Sequence, residues 1–264
     1  MSNLDFKNKK VWITGASSGI GEALAYKFSE LGAFLIISSR RENELLRVKN
    51  ACKNPENVEI VPLDLEKYEQ IADIVNPILQ KIGNVDILIN NGGASQRALV
   101  VDEDLDVIVR MMKINFMGAA ALTKVVLPGM ISQKFGHIVC MSSLAGKFGI
   151  PLRSGYAAAK HALHGFFETL RAENYDNGIR VMMVCPGYIN TNVALNALNA
   201  DGSKRNINDK GQEQGLDPAV LAEKIIKGIK KEKLEITAGG GETNGIWVSR
   251  FFPNLFAKII RKKK

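Results

Sequence analysis

Tyr156 and Lys160 are four residues apart in the run YAAAK, which puts both on one face of a helix. The pair suggests proton chemistry. A free phenol titrates at about 10 and gives up its proton poorly at neutral pH. A neighbouring ammonium favours the phenolate, and a cationic ring close by would favour it further. Ser143 precedes Tyr156 by thirteen positions, at the end of the apolar run HIVCMSS, where its hydroxyl could hydrogen-bond a carbonyl oxygen. Asn115, in KINF, belongs to the preceding helical stretch and could anchor a water between Lys160 and solvent. Each residue alone has a plain structural reading: Tyr and Lys often fall at this spacing, and an asparagine in a helix is usually a satisfied polar group. Together the four point to proton transfer at a carbonyl or an alcohol.

A second group reads as a phosphate cradle. Thr14–Gly21 (TGASSGIG) follows an apolar run and opens a helical one. Gly15 lets the chain turn sharply, Gly19 clears the approach of a pyrophosphate to the main chain, and Gly21 lets the helix pack closely on a sheet. The helix start, with Ser17, Ser18 and Ile20, offers free N–H groups to phosphates. Tight-turn glycines alone would look similar, but the strand before and the helix after favour the phosphate reading. The next strand ends IISSRR, with no acidic residue to bind a ribose 2′-hydroxyl. Arg40 could pair with a 2′-phosphate, and Ser39 could add a hydroxyl contact. This points to NADP(H) rather than NAD(H), against the simpler reading that Arg40 and Arg41 solvate a helix start. Asp64, in PLDL with Leu65 beside it, could accept from an adenine amino group or cap a helix.

These groups need a scaffold that brings distant segments to one edge. Val/Ile-rich runs at Val11–Thr14, Phe34–Ser38, Val58–Pro62, Val85–Ile89, His137–Met141, Arg180–Val184 and Leu234–Thr237 show little polar alternation, as in strands buried on both faces. Helical patterns lie between them at Gly21–Leu31, Glu42–Cys52, Tyr68–Lys81, Asp104–Gln133, Ser154–Asp176 and Pro218–Lys231. The alternation predicts an α/β fold of the Rossmann type: one domain with a doubly wound, seven-stranded parallel sheet and helices on both faces. We place that domain at 1–245, with a polar segment at about 192–216 acting as a lid or mobile loop over the site. Residues 246–264 form a basic amphipathic tail, broken by Pro253.

Composition limits the alternatives. The chain has 264 residues, 46% hydrophobic and 23% charged, which is ordinary for a globular domain. Cys52, Cys140 and Cys185 are scattered, which argues for reduced thiols in a cytoplasmic setting rather than a disulfide framework. With three histidines, His137, His161 and His164, a metal site is not expected, and His161 and His164 read as structural or surface residues. No secretory signal is visible, and no stretch reaches the roughly 20 apolar residues of a spanning helix. Of the net charge of +8, six positive residues follow Ser249 with no acidic one, which leaves about +2 for the body. A basic tail on a near-neutral body does not make a nucleic-acid-binding protein. The tail's apolar residues could pack on the body, on a second subunit or on a lipid surface at the membrane periphery.

From about Lys9 to Thr191 the motifs resemble, in order and spacing, the short-chain dehydrogenase/reductase family in its compact single-domain branch. The matching pieces are TGASSGIG, Asp64, Asn90–Gly93 (NNGG), Asn115, Ser143, YAAAK and Pro186–Thr191 (PGYINT). The resemblance implies that Tyr156 is the general acid in reduction and the base in oxidation. It implies that Ser143 polarises the carbonyl, Lys160 binds the nicotinamide ribose, and Asn115 holds a relay water. Asn91, Gly92 and Gly93 would line the adenosine side, and Pro186, Gly187, Ile189 and Thr191 would border the nicotinamide. Family members usually have alanine where Gly92 stands, and Arg40 matches their NADP-preferring pattern. SSLAGK (142–147), Ser154–Phe167 and NVALNALNADG (192–202) resemble the 11β-hydroxysteroid-dehydrogenase-like branch, which implies a hydrophobic or lipid-like carbonyl substrate. In the family, helices equivalent to 104–133 and 154–176 form subunit contacts, so a homo-oligomer, dimer or tetramer, is expected. The rival readings are a non-catalytic NADP(H)-binding sensor or scaffold and, less well supported, a sugar-nucleotide epimerase, which usually carries a longer substrate domain.

Overall fold

A computed structural model of the chain describes residues 4–207 and 209–263. Met1–Asn3, Asn208 in the predicted lid and Lys264 in the basic tail lie outside the described residues. The chain runs β1 (Lys10–Thr14), α1 (Gly19–Glu30), β2 (Phe34–Ser38), α2 (Glu42–Ala51), β3 (Val58–Ile60), α3 (Ile71–Ile82), β4 (Ile87–Asn90), α4 (Leu105–Met112), α5 (Gly118–Ser132), β5 (Gly136–Met141), α6 (Ser154–Asn174), β6 (Ile179–Pro186), α7 (Lys210–Glu213), α8 (Pro218–Lys230), β7 (Glu235–Ala238), α9 (Gly245–Phe251) and α10 (Pro253–Ile260).

All pairings are parallel, in the order β3-β2-β1-β4-β5-β6-β7. The strand order reverses between β1 and β4, and ligands of open α/β sheets bind at such a switch point. Alternate residues of each strand feed two cores. Val11 and Ile13 pack with Leu24, Phe28 and Ile225 on the α1, α2 and α8 side. Trp12 packs with Leu122, Leu163 and Phe167 on the α3, α5 and α6 side. Burial on both faces is why the strands lack polar alternation.

The differences from the sequence expectations are local. Strand and helix ends shift by one to three residues, where assignments are least sharp. The third strand stops at Ile60 rather than Pro62, although Val61 N and Leu63 N still donate to Ile37 O and Ser39 O, and Pro62 is tolerated on this edge strand. The stretch expected as one helix at 104–133 contains a π-helical turn, Lys113–Met117, between α4 and α5. Leu105–Ser132 as a whole is long and apolar enough to cross a membrane by length and composition, which corrects the expectation of no such stretch. Half of its apolar window is buried against the body. The predicted lid is not a bare loop. Ala194, Ala197 and Leu198 are buried, Leu198 bridges to Gln96 and Lys204, and α7 forms within it.

Candidate active site

The carboxyl ends of β1, β2, β4, β5 and β6 surround a trough with two contiguous chambers. One, of about 540 Å³, is lined by Gly15, Ser17, Ser18, Ser39, Arg40 and Asp64, among others. The second, of about 160 Å³, is lined by Asn115, Ser143, Tyr156 and Lys160 together with Pro186, Gly187 and Ile189. The chambers share Ile20, Asn91, Gly93, Ala94, Thr191 and Val193. Leu65 and Gly92 border the larger one.

The turn after β1 holds the larger chamber open with backbone. Gly15 (φ 66°) and Gly19 (φ 59°) adopt left-handed conformations that cost other residues strain. Neither Gly19 nor Gly21 lines a chamber; their lack of a side chain makes room instead. A Cβ on Gly19 would meet Thr191 Cγ2 at 2.9 Å, and one on Gly21 would overlap Gly15 O. Asn91 borders both chambers and braces the turn. Its Nδ2 donates to Thr14 O (2.9 Å) and Gly15 O (3.3 Å), tying the end of β4 to the turn. Leu65 takes the room left by Gly92, since a Cβ there would lie 2.5 Å from Leu65 Cδ1.

Arg41, for which the motifs specify no role, reaches back over the turn. Its Nη2 donates to Ser17 Oγ and Ser18 Oγ, each at 3.0 Å. Ser39 Oγ accepts from Arg41 N at 3.1 Å, so this hydroxyl shapes the loop as well as facing the chamber. Arg47 is held by Glu22 (2.7 Å) and Glu44 (2.8 Å). The arginine lowers the Glu22 pKa, mainly through its hydrogen bond. Arg40 and Arg41 line the larger chamber at the end of β2, and Arg110 and Lys204 line it elsewhere. Asp64 Oδ1 accepts the N–H of Glu66 at 3.1 Å in a local turn.

In the smaller chamber, Lys160 is 4% exposed. Its Nζ donates to Met141 O at 2.7 Å and lies 5.5 Å from the centroid of the Tyr156 ring. Helix α6 supplies both residues, as the i, i+4 spacing requires. Asn115 sits inside the π turn, a feature frequent at functional positions. Its Nδ2 donates to Met111 O (3.0 Å) and its Oδ1 accepts the N–H of Ala94 (3.2 Å). Ser143 Oγ accepts the N–H of Ala145 at 3.1 Å, which leaves its hydroxyl hydrogen for another acceptor.

The model of the short chain dehydrogenase family matches residues 9–201. The chain belongs to the short-chain dehydrogenase/reductase family. It is therefore an oxidoreductase with the Rossmann fold of that family. It is similar to dehydrogenase/reductase SDR family member 7B of Bos taurus, at 39% identity over 265 residues covering 97% of this chain and 82% of the relative. A short-chain dehydrogenase/reductase from Burkholderia phymatum, solved in complex with NAD, superposes with a TM-score of 0.84 at 24% identity, covering 96% of each chain. An alcohol dehydrogenase from Thermococcus sibiricus, complexed with 5-hydroxy-NADP, superposes with a TM-score of 0.75 at 25% identity, over 88% of this chain and 97% of that one.

Tertiary structure adds residues that no motif announces. Gln96, fully buried, bonds to the first turn of α6. Glu242 lines the smaller chamber and accepts the N–H of Tyr188 at 3.0 Å, joining the loop after β6 to the turn before α9. His164 lies beneath the chamber, with Nε2 3.0 Å from Ser142 Oγ and Nδ1 3.0 Å from Glu168. His164, Glu168 and Glu235 cluster with ligand atoms within 4.8 Å. The Lys147 ammonium already offsets one of its two carboxylates, 2.6 Å from Glu235 Oε2 and 3.5 Å from His164 Nδ1. The tail also meets the site: Phe256 packs edge-on against Phe148 (4.8 Å), and Ile260 lines the smaller chamber.

Proposed function

We propose that the protein interconverts a ketone or aldehyde and an alcohol with NADP(H), with Tyr156 as the proton donor in reduction. The observation that carries this reading is that Asn115, Ser143, Tyr156 and Lys160 line one chamber that opens directly onto the glycine-rich cradle. The cradle fits a dinucleotide, because side chains at Gly15, Gly19 and Gly21 would fill or distort it. Gly15, Ser17, Ser18, Gly19, Ile20 and Gly21 would hold the pyrophosphate. Asp64, Leu65, Asn91, Gly92 and Gly93 would hold the adenosine half, and Pro186, Gly187, Ile189 and Thr191 the nicotinamide half. Arg40 and Arg41 supply positive charge where a 2′-phosphate would lie, with Ser39 between them and β2. The relatives' cofactors differ, NAD in one solved neighbour and 5-hydroxy-NADP in another. The choice of NADP(H) rests on these arginines and the missing carboxylate at the end of β2.

When bound, the cofactor supplies the hydride. The residues of the chain position the substrate and move the proton. Ser143 and Tyr156 bind the carbonyl oxygen, and Tyr156 passes its hydroxyl proton to that oxygen as it becomes an alcohol. The buried Lys160 ammonium, fixed by Met141 O, balances the negative charge left on the phenol oxygen. Asn115, held at Met111 and Ala94, orients the helix bend beside Lys160 and could hold a water that returns the proton. Phe148, Ile150 and Ile260 make part of the wall apolar, which suits a hydrophobic or lipid-like carbonyl compound.

The test is NADPH and NADH oxidation against carbonyl compounds ranging from small polar aldehydes to steroids and acyl-chain ketones, with Tyr156→Phe as control. Turnover with NADPH that falls by about 10²-fold or more in the variant supports the reading. Full turnover in Tyr156→Phe overturns the catalytic assignment. Tight NADPH binding without any turnover favours the sensor or scaffold.

A further inference from the structure

Three arginines converge on one carboxylate, and two of them, Arg97 and Arg153, line the smaller chamber. Arg97 Nε and Nη2 lie 3.2 and 2.5 Å from Asp209 Oδ2. Arg205 Nη1 lies 2.9 Å from Asp209 Oδ1, and Arg153 Nη2 lies 3.5 Å from Oδ2. These side chains are mostly withdrawn from water, Arg97 to 8% and Arg153 to 16% exposure. Three guanidinium groups against one carboxylate leave an excess of positive charge in a partly dry place, where unbalanced charge is costly. Burial and then the Arg153 charge push the Arg97 pKa down, while Asp209 pulls it back up.

The two arginines that line the chamber differ in how they are held. Arg97 is fixed in its plane: Nη1 donates to Ser95 Oγ (2.7 Å) and Gln96 O (2.6 Å). The Arg153 guanidinium donates no hydrogen bond among the described residues, and its ion pair is the long approach to Asp209. Both border the cavity that contains Ser143 and Tyr156, and Arg153 stands three residues before Tyr156 at the start of α6. Asp209 belongs to the lid segment, immediately before α7. A purely structural lock would balance its charges. A surplus guanidinium with free donors, facing a cavity, is suited to binding an anion from outside.

We propose that Arg153 and Arg97 bind an anionic group, phosphate or carboxylate, carried by the carbonyl substrate, and that Asp209 holds this place on the arginines until the substrate arrives. That the ligand is a carbonyl compound rests on the reductase reading above; the anion subsite does not. An incoming anion takes over the Arg97 donors from Asp209, so lid position and substrate charge are coupled.

Calorimetry with the full chain tests this without turnover, using octyl phosphate, octanoate and 1-octanol as probes on wild type, Arg153→Gln and Asp209→Asn. One anion should bind at least about tenfold more tightly than octanol, as expected for a charge-assisted contact. The stronger of the two anions identifies the head group. Arg153→Gln should abolish most of that advantage while leaving octanol and NADPH affinity unchanged, which also reports that the variant is folded. Asp209→Asn should tighten anion binding severalfold. Equal binding of anion and alcohol by wild type, or an advantage untouched by Arg153→Gln, overturns the subsite. Weaker anion binding in Asp209→Asn overturns the placeholder role. Anion preference without turnover of any ketone would instead count against the reductase reading alone.

Discussion

The side-chain carbonyl of Gln96 accepts the backbone N–H of Tyr156 at 2.7 Å. The first N–H groups of a helix have no partner within it. Here one of them, at the residue assigned to proton transfer, is satisfied by the segment after β4. The Gln96 amide also donates to Ser154 Oγ at 3.1 Å and to Glu103, which in turn accepts from Ser154. Replacing Gln96 with leucine strands a buried N–H, and the expected cost is about 1–3 kcal/mol in urea unfolding. As a positioning residue Gln96 should affect kcat, by roughly tenfold for a small misplacement, with NADPH affinity unchanged. A loss confined to stability, with kcat intact, would leave it a purely structural role.

Arg40 and Arg41 line the larger chamber, and Arg41 is bonded to the turn at Ser17 and Ser18. Fluorescence titration of Arg40→Met and Arg41→Met should show NADPH binding weakened by about tenfold or more, with NADH affected little. Equal losses for both cofactors in Arg41→Met would mean that it shapes the turn and does not select the phosphate.

His137 is buried in β5, and burial pushes its imidazole down to about 4, with Arg180 and Lys9 acting in the same direction against Glu232. An unfolded chain takes up this proton at about 6.5. The neutral ring therefore contributes stability that is full above pH 6.5 and is lost as the pH falls towards 4. The loss should be about 3 kcal/mol. His137→Leu should flatten that part of the stability–pH curve measured in urea. His164, also pushed down by burial, will keep a smaller dependence of the same sign. An unchanged slope in the variant would refute the assignment.

The tail presents two faces. Phe256 and Ile260 close the smaller chamber, while Trp247, Phe251, Phe252, Leu255 and Ile259 are exposed beside the basic Arg250, Lys258 and Arg261. Deleting 253–264 should raise KM for apolar carbonyl compounds by several-fold, since burying one large apolar side chain is worth roughly 1.5–3 kcal/mol. Pelleting with anionic vesicles that disappears in Trp247→Ser/Phe251→Ser would assign the exposed face to a lipid surface. Vesicle-independent self-association lost in the same variant would assign it to a second subunit, the homo-oligomer expected from the family.

Much of the site was legible in the chain because its motifs are local. A glycine-rich turn needs glycines at fixed offsets, and a Tyr–Lys pair on one helix face needs an offset of four. Asn115, Ser143, Tyr156 and Lys160, named from spacing, do border one chamber. Gln96 and Glu242 carried no signal: a buried glutamine becomes informative only when the helix end it satisfies is known. Arg41 carried no signal of its own, because its rotamer, and not its position, brings it over the glycine-rich turn.

Hydrophobic runs and their punctuation determined the seven strands, their helices and the doubly wound order, because burial on both faces demands continuous apolar sequence. They determined the residue types available for hydride chemistry and the charge left at the end of β2. Only the tertiary structure decided which side chains meet. It brought the lid's Asp209 between Arg97, Arg153 and Arg205, put a π turn at Asn115, and folded Phe256 back onto Phe148. Most of these contacts join residues tens to more than a hundred positions apart, and their energy depends on rotamer, distance and local dielectric, none of which is written in spacing.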